Sequence, residues 1–208
     1  MRVHVVNAHL TYPNWSEGVL NRAMAEKAKE YLLDRGHEVT ETRVEEHFDP
    51  AVEVRRHLDA RLVILQTPIN WFGAPWIYKR YVDEVFNAGL HSKTFLATDG
   101  RTRSDPSRQY GTGGRMHGRG FFTAATWNAP AGIFSNADSV LFEGKSVDDL
   151  LLAISTNYKF VGYTILESYG IYDIHHTDVA AGIEDYATHL DKQLAMLDTS
   201  RPAADHRS

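Results

Sequence analysis

Residues 62–76 of the chain read LVILQTPINWFGAPW. The segment from Leu62 to Gln66 is a short, mostly apolar run, which predicts a strand buried on both faces. A loop with two prolines, a glycine and flat aromatic rings follows, and apolar residues then recur at helical spacing from Pro75 to Phe86. A strand, a loop and a helix in this order form the repeating unit of a parallel α/β sheet.

The same alternation continues on both sides of this unit. Strands are predicted for residues 3–7, 39–44, 120–126 and 163–169, with a further strand start at 94–97, and helices for residues 20–35, 49–58, 147–160 and 179–197. Five strands with right-handed crossovers predict a flavodoxin-like α/β fold, with a five-stranded parallel sheet of order 2-1-3-4-5 and helices on both faces. We expect residues 1–199 to form this single domain and the polar residues 200–208 to form a disordered tail.

The overall composition excludes several classes of function. The formal net charge of −5 argues against nucleic acid as a partner, because nucleic acid binds basic surfaces. The absence of cysteine excludes disulfides, thiolate catalysis and thiolate metal ligands. The N-terminus leads directly into a strand pattern without a signal peptide, and no apolar run reaches the about 20 residues of a transmembrane helix. A cytoplasmic protein is therefore expected.

Three loops are predicted to meet at one edge of this sheet. They are residues 7–18, 67–75 and 127–134, which follow strands 1, 3 and 4. In a sheet of this order, ligands bind at the carboxyl ends of the strands, beside the switch point between strands 1 and 3. The first loop ends at a helix N-terminus, which attracts anions, and His9, Thr11 and Ser16 can add donors for a phosphate. The alternative for this loop is an ordinary capped helix.

The other two loops carry features suited to a flat ring. Trp71 and Phe72 offer apolar faces and Asn70 offers an amide, although both aromatic rings could instead belong to the core. Of the two, Trp71 is expected to leave the core. The run from Thr126 to Asn128 presents backbone N–H groups to the same edge, or else forms a simple capped turn. A planar ring beside an anion site, in a chain without cysteine, favours a flavin cofactor.

Two other segments have more than one interpretation. His175 and His176 with Asp178 could suggest a metal, but no third ligand is evident, so no metal site is predicted. The basic segment 101–119 is either a solvated loop or a loop that handles phosphates or a partner subunit. Within it, residues 110–114 read YGTGG and are interpreted as a covering loop.

Several motifs together resemble one known family. They are residues 73–76 with Lys79, Tyr81-Val82-Asp83 and Val85-Phe86, then residues 99–107, residues 110–114, and residues 127–130. In this order they are similar to the FAD-dependent NADPH:quinone oxidoreductases called modulator of drug activity B. The resemblance covers most of the chain to about residue 135. It implies a flavodoxin-like homodimer that binds one FAD per subunit, with FMN less favoured, and has its active sites at the dimer interface.

The resemblance also implies roles for individual residues. Trp71, Phe72, Trp127, Asn128 and Tyr110 would form the catalytic slot. The residues implied in cofactor binding are His9, Ser16, Gly18, Leu20 and Asn21 at the pyrophosphate and adenosine, Pro68, Ile69, Asn70, Trp71 and Phe72 along the isoalloxazine, Thr126, Trp127 and Asn128 at its pyrimidine edge, and Gly113 and Gly114 in the loop that covers the partner's flavin.

The expected function is the two-electron reduction of quinones with NADPH, by ping-pong hydride transfer through FAD. One alternative is a flavodoxin-like regulatory or binding subunit of another protein, for example a transporter, since a fold does not fix a function. Another keeps the flavin but replaces the quinone by azo or nitroaromatic acceptors. The sequence alone leaves these alternatives open.

Overall fold

The structure is a computed structural model that describes residues 1–105 and 107–199. Its strands are β1 (Arg2–Asn7), β2 (Glu38–Arg43), β3 (Leu62–Pro68), β4 (Gly120–Thr126), β5 (Thr164–Ile165) and β6 (Tyr169–Ile171). Its helices are α1 (Val19–Asp34), α2 (Pro50–Asp59), α3 (Trp76–His91), α4 (Val147–Leu150), α5 (Leu152–Val161) and α6 (Val179–Thr199), with a 3-10 turn at Ala131–Ile133. The predicted tail, residues 200–208, lies outside the described residues.

The strands form one parallel sheet in the order β2-β1-β3-β4-β5, which confirms the predicted order. The predicted fifth strand is interrupted, because both β5 and β6 pair with β4. Phe121 pairs with Ile165, whereas Ala124 pairs with Tyr169, so the outer strand has one residue more than β4 over this span. Such an extra residue is a β-bulge, which bends an edge strand.

Alternate residues of the strands face two separate cores. Val3, Val5, Leu62 and Ile64 pack with the apolar faces of α1 and α6. Val6, Val63 and Leu65 face the opposite side, where α2, α3 and α5 pack. Helices therefore cover both faces of the sheet, as predicted. Among the described residues, no helix is both long and apolar enough to cross a membrane.

Three predicted elements differ from the structure. The helix predicted at 147–160 is divided at Leu151 into α4 and α5, and a capping box between Ser146 and Asp149 starts α4. The helix that starts after Pro75 continues to His91. Residues 94–97 do not form a strand, because only Leu96 makes an isolated bridge, to Gly114.

A buried polar network joins α2 to the middle of the sheet. Glu53 is 1 % exposed, and its carboxylate accepts hydrogen bonds from Thr42 (2.7 Å) and Tyr81 (2.9 Å) and lies 3.2 Å from His4 Nε2. Burial by itself raises the pKa of Glu53, but the hydrogen bond and charge of His4, with the two hydroxyls, lower it to about 2. His57 is also buried, and its burial lowers the pKa of its imidazole to about 3. Glu53 is therefore ionised and His57 neutral at neutral pH.

Because of this network, we predict that the folded protein loses stability in acid. A carboxyl group whose pKa is lower in the folded chain stabilises the fold above its unfolded pKa and loses that contribution as the pH falls toward the folded value. We expect Glu53→Gln to lower the free energy of unfolding at pH 7 by about 3–5 kcal/mol, because it breaks a buried pair. The pH dependence between about 4.5 and 2 should also become flatter. Urea titrations at several pH values measure both effects.

The matched control is Glu46→Gln, whose side chain is 67 % exposed in a surface ion pair with Arg43. Surface pairs contribute about 0–1 kcal/mol, so this variant should follow the wild type at every pH. Equal behaviour of the two variants would show that the Glu53 network does not govern acid stability.

Candidate functional site

A cleft of about 360 Å³ opens at the carboxyl ends of the strands. It lies where the sheet order reverses between β1 and β3, the position at which open α/β sheets bind ligands. Ten of the predicted site residues line it: His9, Ser16, Gly18, Leu20, Asn21, Pro68, Ile69, Asn70, Thr126 and Asn128. The three predicted loops therefore do meet at one site.

The N-terminus of α1 forms one wall of this cleft. The helix begins after Gly18, which has a φ of 73° and provides no side-chain cap. Arg22 is the first residue whose N–H bonds back within the helix, to Gly18 O at 2.9 Å. The N–H groups of Val19, Leu20 and Asn21 therefore have no partner in the helix and stand beside the cleft. Such a helix end binds phosphate, and the ordinary capped helix that was the alternative for this loop does not form, because no side chain caps α1.

His9 lies directly beneath Gly18. A Cβ atom at position 18 would come within 2.4–2.6 Å of three atoms of the imidazole ring, so only glycine allows this contact. Burial lowers the pKa of His9 despite the nearby carboxylate of Glu45, so the ring is neutral at neutral pH. Its Nε2 is inaccessible to water and has no hydrogen-bond partner among the described residues. A neutral imidazole with its proton on Nε2 can donate to an anion at the helix end.

The hydroxyl of Thr11 does not serve the cleft. Its backbone N–H and its Oγ1 both donate to the carboxylate of Glu45, each at 3.0 Å. Glu45 thus occupies donors that the sequence suggested for a phosphate, and it ties the first loop to the segment after β2. Thr11 is an anchor of the loop and not a ligand.

The side chain of Asn21 is also used internally. Its amide donates to Asn7 (2.6 Å) and accepts from Gln66 (3.2 Å), while Asn7 donates to the carboxylate of Glu41 (3.1 Å). This chain of hydrogen bonds fixes the first turn of α1 against β1 and β3. Asn21 therefore offers the cleft its backbone N–H and not its side chain.

Trp71 and Phe72 occupy a strained turn after β3. Asn70 and Gly73 close the turn with backbone hydrogen bonds of 2.8 and 3.2 Å, and the φ angles of Trp71 and Phe72 are 51° and 66°. The left-handed region costs a bulky residue about 1–2 kcal/mol, so this geometry persists only because the surroundings hold it. Trp71 is 90 % exposed, as expected, whereas Phe72 is 48 % exposed and packs edge-on against Phe142. Neither ring lines the cleft itself; the turn stands at its side.

The indole of Trp127 faces the core and not the cleft. It is 1 % exposed and packs against Phe134 and Tyr172. The reason is strand alternation, since Phe121 and Ala125 of β4 face the same core. Asn128, the next residue, is exposed and lines the cleft. The prediction that Trp127 contacts a cofactor ring in the cleft is therefore wrong. The indole instead supports the loop after β4 from the core side.

The covering loop lies away from the cleft of its own chain. Tyr110 is exposed and packs against Phe160, and Arg101 lies over its ring. Gly113 and Gly114 approach the backbones of Thr98 and Val161 so closely that a Cβ would not fit at either position. None of the three predicted residues of this loop lines the cleft.

Sequence reasoning missed a fourth loop of the site. Ile174 and His175, after β6, line the cleft, as do Trp15, Glu17 and Val19 of the first loop. Ile174 N donates to Trp127 O (3.2 Å) and Asp173 N donates to Ala129 O (3.1 Å), which joins the loops after β6 and β4. The signal was available, because the fifth strand of a parallel sheet ends at the same edge as the others.

The chemistry of this cleft fits a flavin. The unpaired N–H groups of α1 and His9 Nε2 suit a phosphate. Asn70 Nδ2, which is buried and has no partner among the described residues, and the exposed amide of Asn128 suit the polar edge of a ring. A metal is a poorer fit, because no group of three His, Asp or Glu in residues 1–105 and 107–199 is placed to hold one.

Comparisons with known proteins agree with this geometry. Residues 1–194 match the family described as having a flavodoxin-like fold. The chain is 37 % identical to the NADPH:quinone oxidoreductase MdaB of Haemophilus influenzae over 178 residues, 85 % of this chain and 91 % of that protein. Two solved structures share the fold. A candidate quinone reductase from Klebsiella pneumoniae superposes with a TM-score of 0.72 at 22 % identity, covering 97 % of this chain and 86 % of that one. The general stress protein 14 of Treponema denticola, in complex with FMN, gives 0.59 at 21 %, covering 96 % and 98 %.

The contact between Gly18 and His9 gives a direct test of the site. Gly18→Ala should lower flavin affinity by at least about tenfold, because the new Cβ displaces His9 and the start of α1. Gly36→Ala is the matched control, since Gly36 has a φ of 74° but nothing within 4 Å of its Cβ position. Both variants should lose about 1–2 kcal/mol of stability from the positive φ, but only the first should lose affinity. Calorimetric titration with FAD and with FMN measures the affinities, and urea titration measures the stabilities. Equal affinities of the two variants would show that His9 and Gly18 do not bind the cofactor.

Proposed function

This chain belongs to the family with a flavodoxin-like fold and is similar to the NADPH:quinone oxidoreductase of H. influenzae, and we propose that it is a flavin-dependent NAD(P)H:quinone oxidoreductase. The observation that carries the proposal is a single cleft where the N-terminus of α1 meets a buried imidazole nitrogen and two side-chain amides, none of which has a side-chain partner among the described residues. This combination offers a phosphate site and a polar ring edge within one nucleotide-sized space.

Bound FAD would supply the hydride chemistry, accepting two electrons from NADPH and passing them to a quinone. The contribution of the protein is to position the cofactor and the substrates. The N–H groups of Val19 to Asn21 would hold the phosphates, and Asn70 and Asn128 would hold the polar edge of the ring. The turn that carries Trp71 stands at the side of the cleft, where its exposed indole would form a flat wall beside the ring, and hydride transfer needs a stacking distance of about 3–3.5 Å. Because NADPH and quinone share one slot, they bind in turn.

The proposal includes a homodimer whose active sites lie at the interface. Its support is exposed apolar surface: Trp71, Trp76, Val140 and Leu141 are all exposed, and Phe142, which follows the last two in the chain, touches Phe72. Apolar surface of this kind marks an interaction site. Tyr110, exposed and remote from its own cleft, would reach the flavin of the partner.

Several arginines of the basic segment 101–119 already have partners, so fewer of them are available to bind a phosphate of NADPH. Arg101 pairs with Asp99, Arg115 donates to Lys93 O, and Arg119 donates to Leu58 O. Within the described residues, this leaves Arg103 and Arg108 as candidates for the 2′-phosphate.

The function is tested by the spectrum of the purified protein under anaerobic conditions. Absorbance near ~375 and ~450 nm should bleach on addition of NADPH and return on addition of a quinone. Initial rates at varied NADPH and quinone should give parallel double-reciprocal lines. A protein that stays colourless after incubation with FAD or FMN would contradict the proposal and favour a regulatory subunit. Reoxidation of the flavin by azo dyes but not by quinones would show that the electron acceptor is an azo compound and not a quinone.

The role of Trp71 is tested by Trp71→Asn. Asparagine tolerates a positive φ, so the turn should be kept and the fold should gain about 1 kcal/mol. The quinone KM should rise by about tenfold or more because the flat wall is lost. Flavin absorbance should not change. An unchanged KM would show that Trp71 does not contact the acceptor. Leu33→Ala, at an exposed apolar residue near the end of α1, serves as the surface control.

A further inference from the structure

A smaller cavity lies at the opposite edge of the sheet from the cleft. It has a volume of about 210 Å³ and is lined by residues 58–61, between α2 and β3, and by residues 117–119, just before β4. The parallel strands begin at this edge, so the seven residues of β3 and of β4 separate the cavity from the cleft. Arg61, Arg119 and the exposed His117 are among the residues that line it.

Backbone carbonyl groups hold the two arginines in place. Arg61 donates to Leu197 O at 3.0 Å, and Arg119 donates to Leu58 O at 2.7 Å and to His117 O at 3.3 Å. Leu58 and Leu197 lie in the last turns of α2 and α6. The guanidinium groups therefore offset the negative ends of two helices, and their positions are fixed by the fold.

These carbonyl bonds leave most N–H groups of the two arginines free for another acceptor. Each guanidinium group has five N–H groups, and the three bonds use three of the ten. The Nε–H of Arg119 is shielded from bulk water and has no partner within residues 1–105 and 107–199. A buried donor of this kind is costly unless an acceptor completes it. Paired guanidinium N–H groups match the oxygens of phosphate and carboxylate groups.

The charges around the cavity favour an anion. Asp59 is the carboxylate that lines it, but its side chain is 62 % exposed and its Oδ2 lies 3.8 Å from the guanidinium of Arg2. Solvent screens so exposed a charge, and Arg2 offsets it. Arg61 lies close beneath the turn at Gly118, since a Cβ on that glycine would be 3.7 Å from Arg61 Nη1. Both arginines thus face one small space without a carboxylate bound to either among the described residues.

We propose that this cavity is a phosphate site in which the guanidinium groups of Arg61 and Arg119 bind one small oxyanion. Phosphate offers more acceptor oxygens and more negative charge than a carboxylate, so it matches two guanidinium forks better. Its binding links the ends of α2 and α6 to the starts of β3 and β4, and it therefore stabilises the folded chain. The site is separate from the flavin cleft and does not depend on the proposed function.

The test is an NMR titration of ¹⁵N-labelled protein with sodium phosphate, against sodium chloride at equal ionic strength. The Nε–H signals of Arg61 and Arg119 and the amide of Gly118 should shift and reach saturation. Half-saturation is expected at about 1 mM, the affinity that two charge-assisted hydrogen bonds supply. Acetate should bind at least about tenfold more weakly. Glycerol 3-phosphate separates the two sources of phosphate: equal or tighter binding supports a phosphate ester, and weaker binding supports free phosphate.

Variants show whether the arginines themselves bind the anion. Arg119→Gln should raise the half-saturating phosphate concentration by about tenfold or more, read from the signals of Arg61 and Gly118. Arg119→Lys keeps the charge but lacks the fork, so it should restore only part of the affinity. Arg61→Gln, read from Arg119 Nε–H, repeats the test from the other side of the cavity.

Arg115→Gln is the matched control. Arg115 belongs to the same basic segment and also donates to a carbonyl, Lys93 O at 2.9 Å, but it does not line the cavity. This variant should bind phosphate as the wild type does. Signals that respond alike to phosphate and chloride would overturn the proposal. An equal loss of affinity in Arg115→Gln and Arg119→Gln would also overturn it, because the effect would then be one of net charge.

Discussion

The site depends on how the first turn of α1 is seated on β1. Gly18 rests on the ring of His9, and the amide chain from Asn7 through Asn21 to Gln66 fixes the helix to two strands. The Glu41 carboxylate accepts only, so it orients the amide of Asn7, which in turn orients Asn21. Loss of one such buried partner costs about 1–3 kcal/mol, so the helix end is held in one register. Its free N–H groups thus face the cleft before any ligand arrives.

The same strand carries a second polar network toward its other end, and the two have different consequences. His4, Glu53 and Tyr81 connect β1 to α2 and α3 on the opposite face of the sheet from α1. The polar groups of these residues bond to one another, so the network fixes how the helices pack. It is also expected to make the fold sensitive to acid. In the cleft, by contrast, His9 Nε2 and Asn70 Nδ2 find no partner within the described residues. A buried polar group without a partner is costly, and a ligand in the cleft would complete these two.

Much of the fold could be predicted from the sequence because its strands are buried and its helices amphipathic. The run at 62–66 and the spacing after Pro75 fixed one β–loop–α unit, and the strand order followed from the count of such units. The bulge between β5 and β6 could not be predicted, because an extra residue in an edge strand leaves the apolar pattern almost unchanged. Trp127 was misplaced because the direction of a ring after a strand depends on register, and Thr11 because its partner Glu45 lies 34 residues away. Trp15 lines the cleft, but nothing in the sequence around it distinguishes a residue of the cleft from any other exposed loop residue.

Amide hydrogen exchange with and without saturating FAD tests the central claim most directly. The account predicts slower exchange in residues 8–21, 68–75, 126–130 and 172–178, with the N–H groups of Val19, Leu20 and Asn21 slowed most. Residues 46–56, which lie on the opposite face of the sheet with α2, should exchange at an unchanged rate. Protection confined to other segments, or none at the start of α1, would contradict the assignment of this cleft as the flavin site.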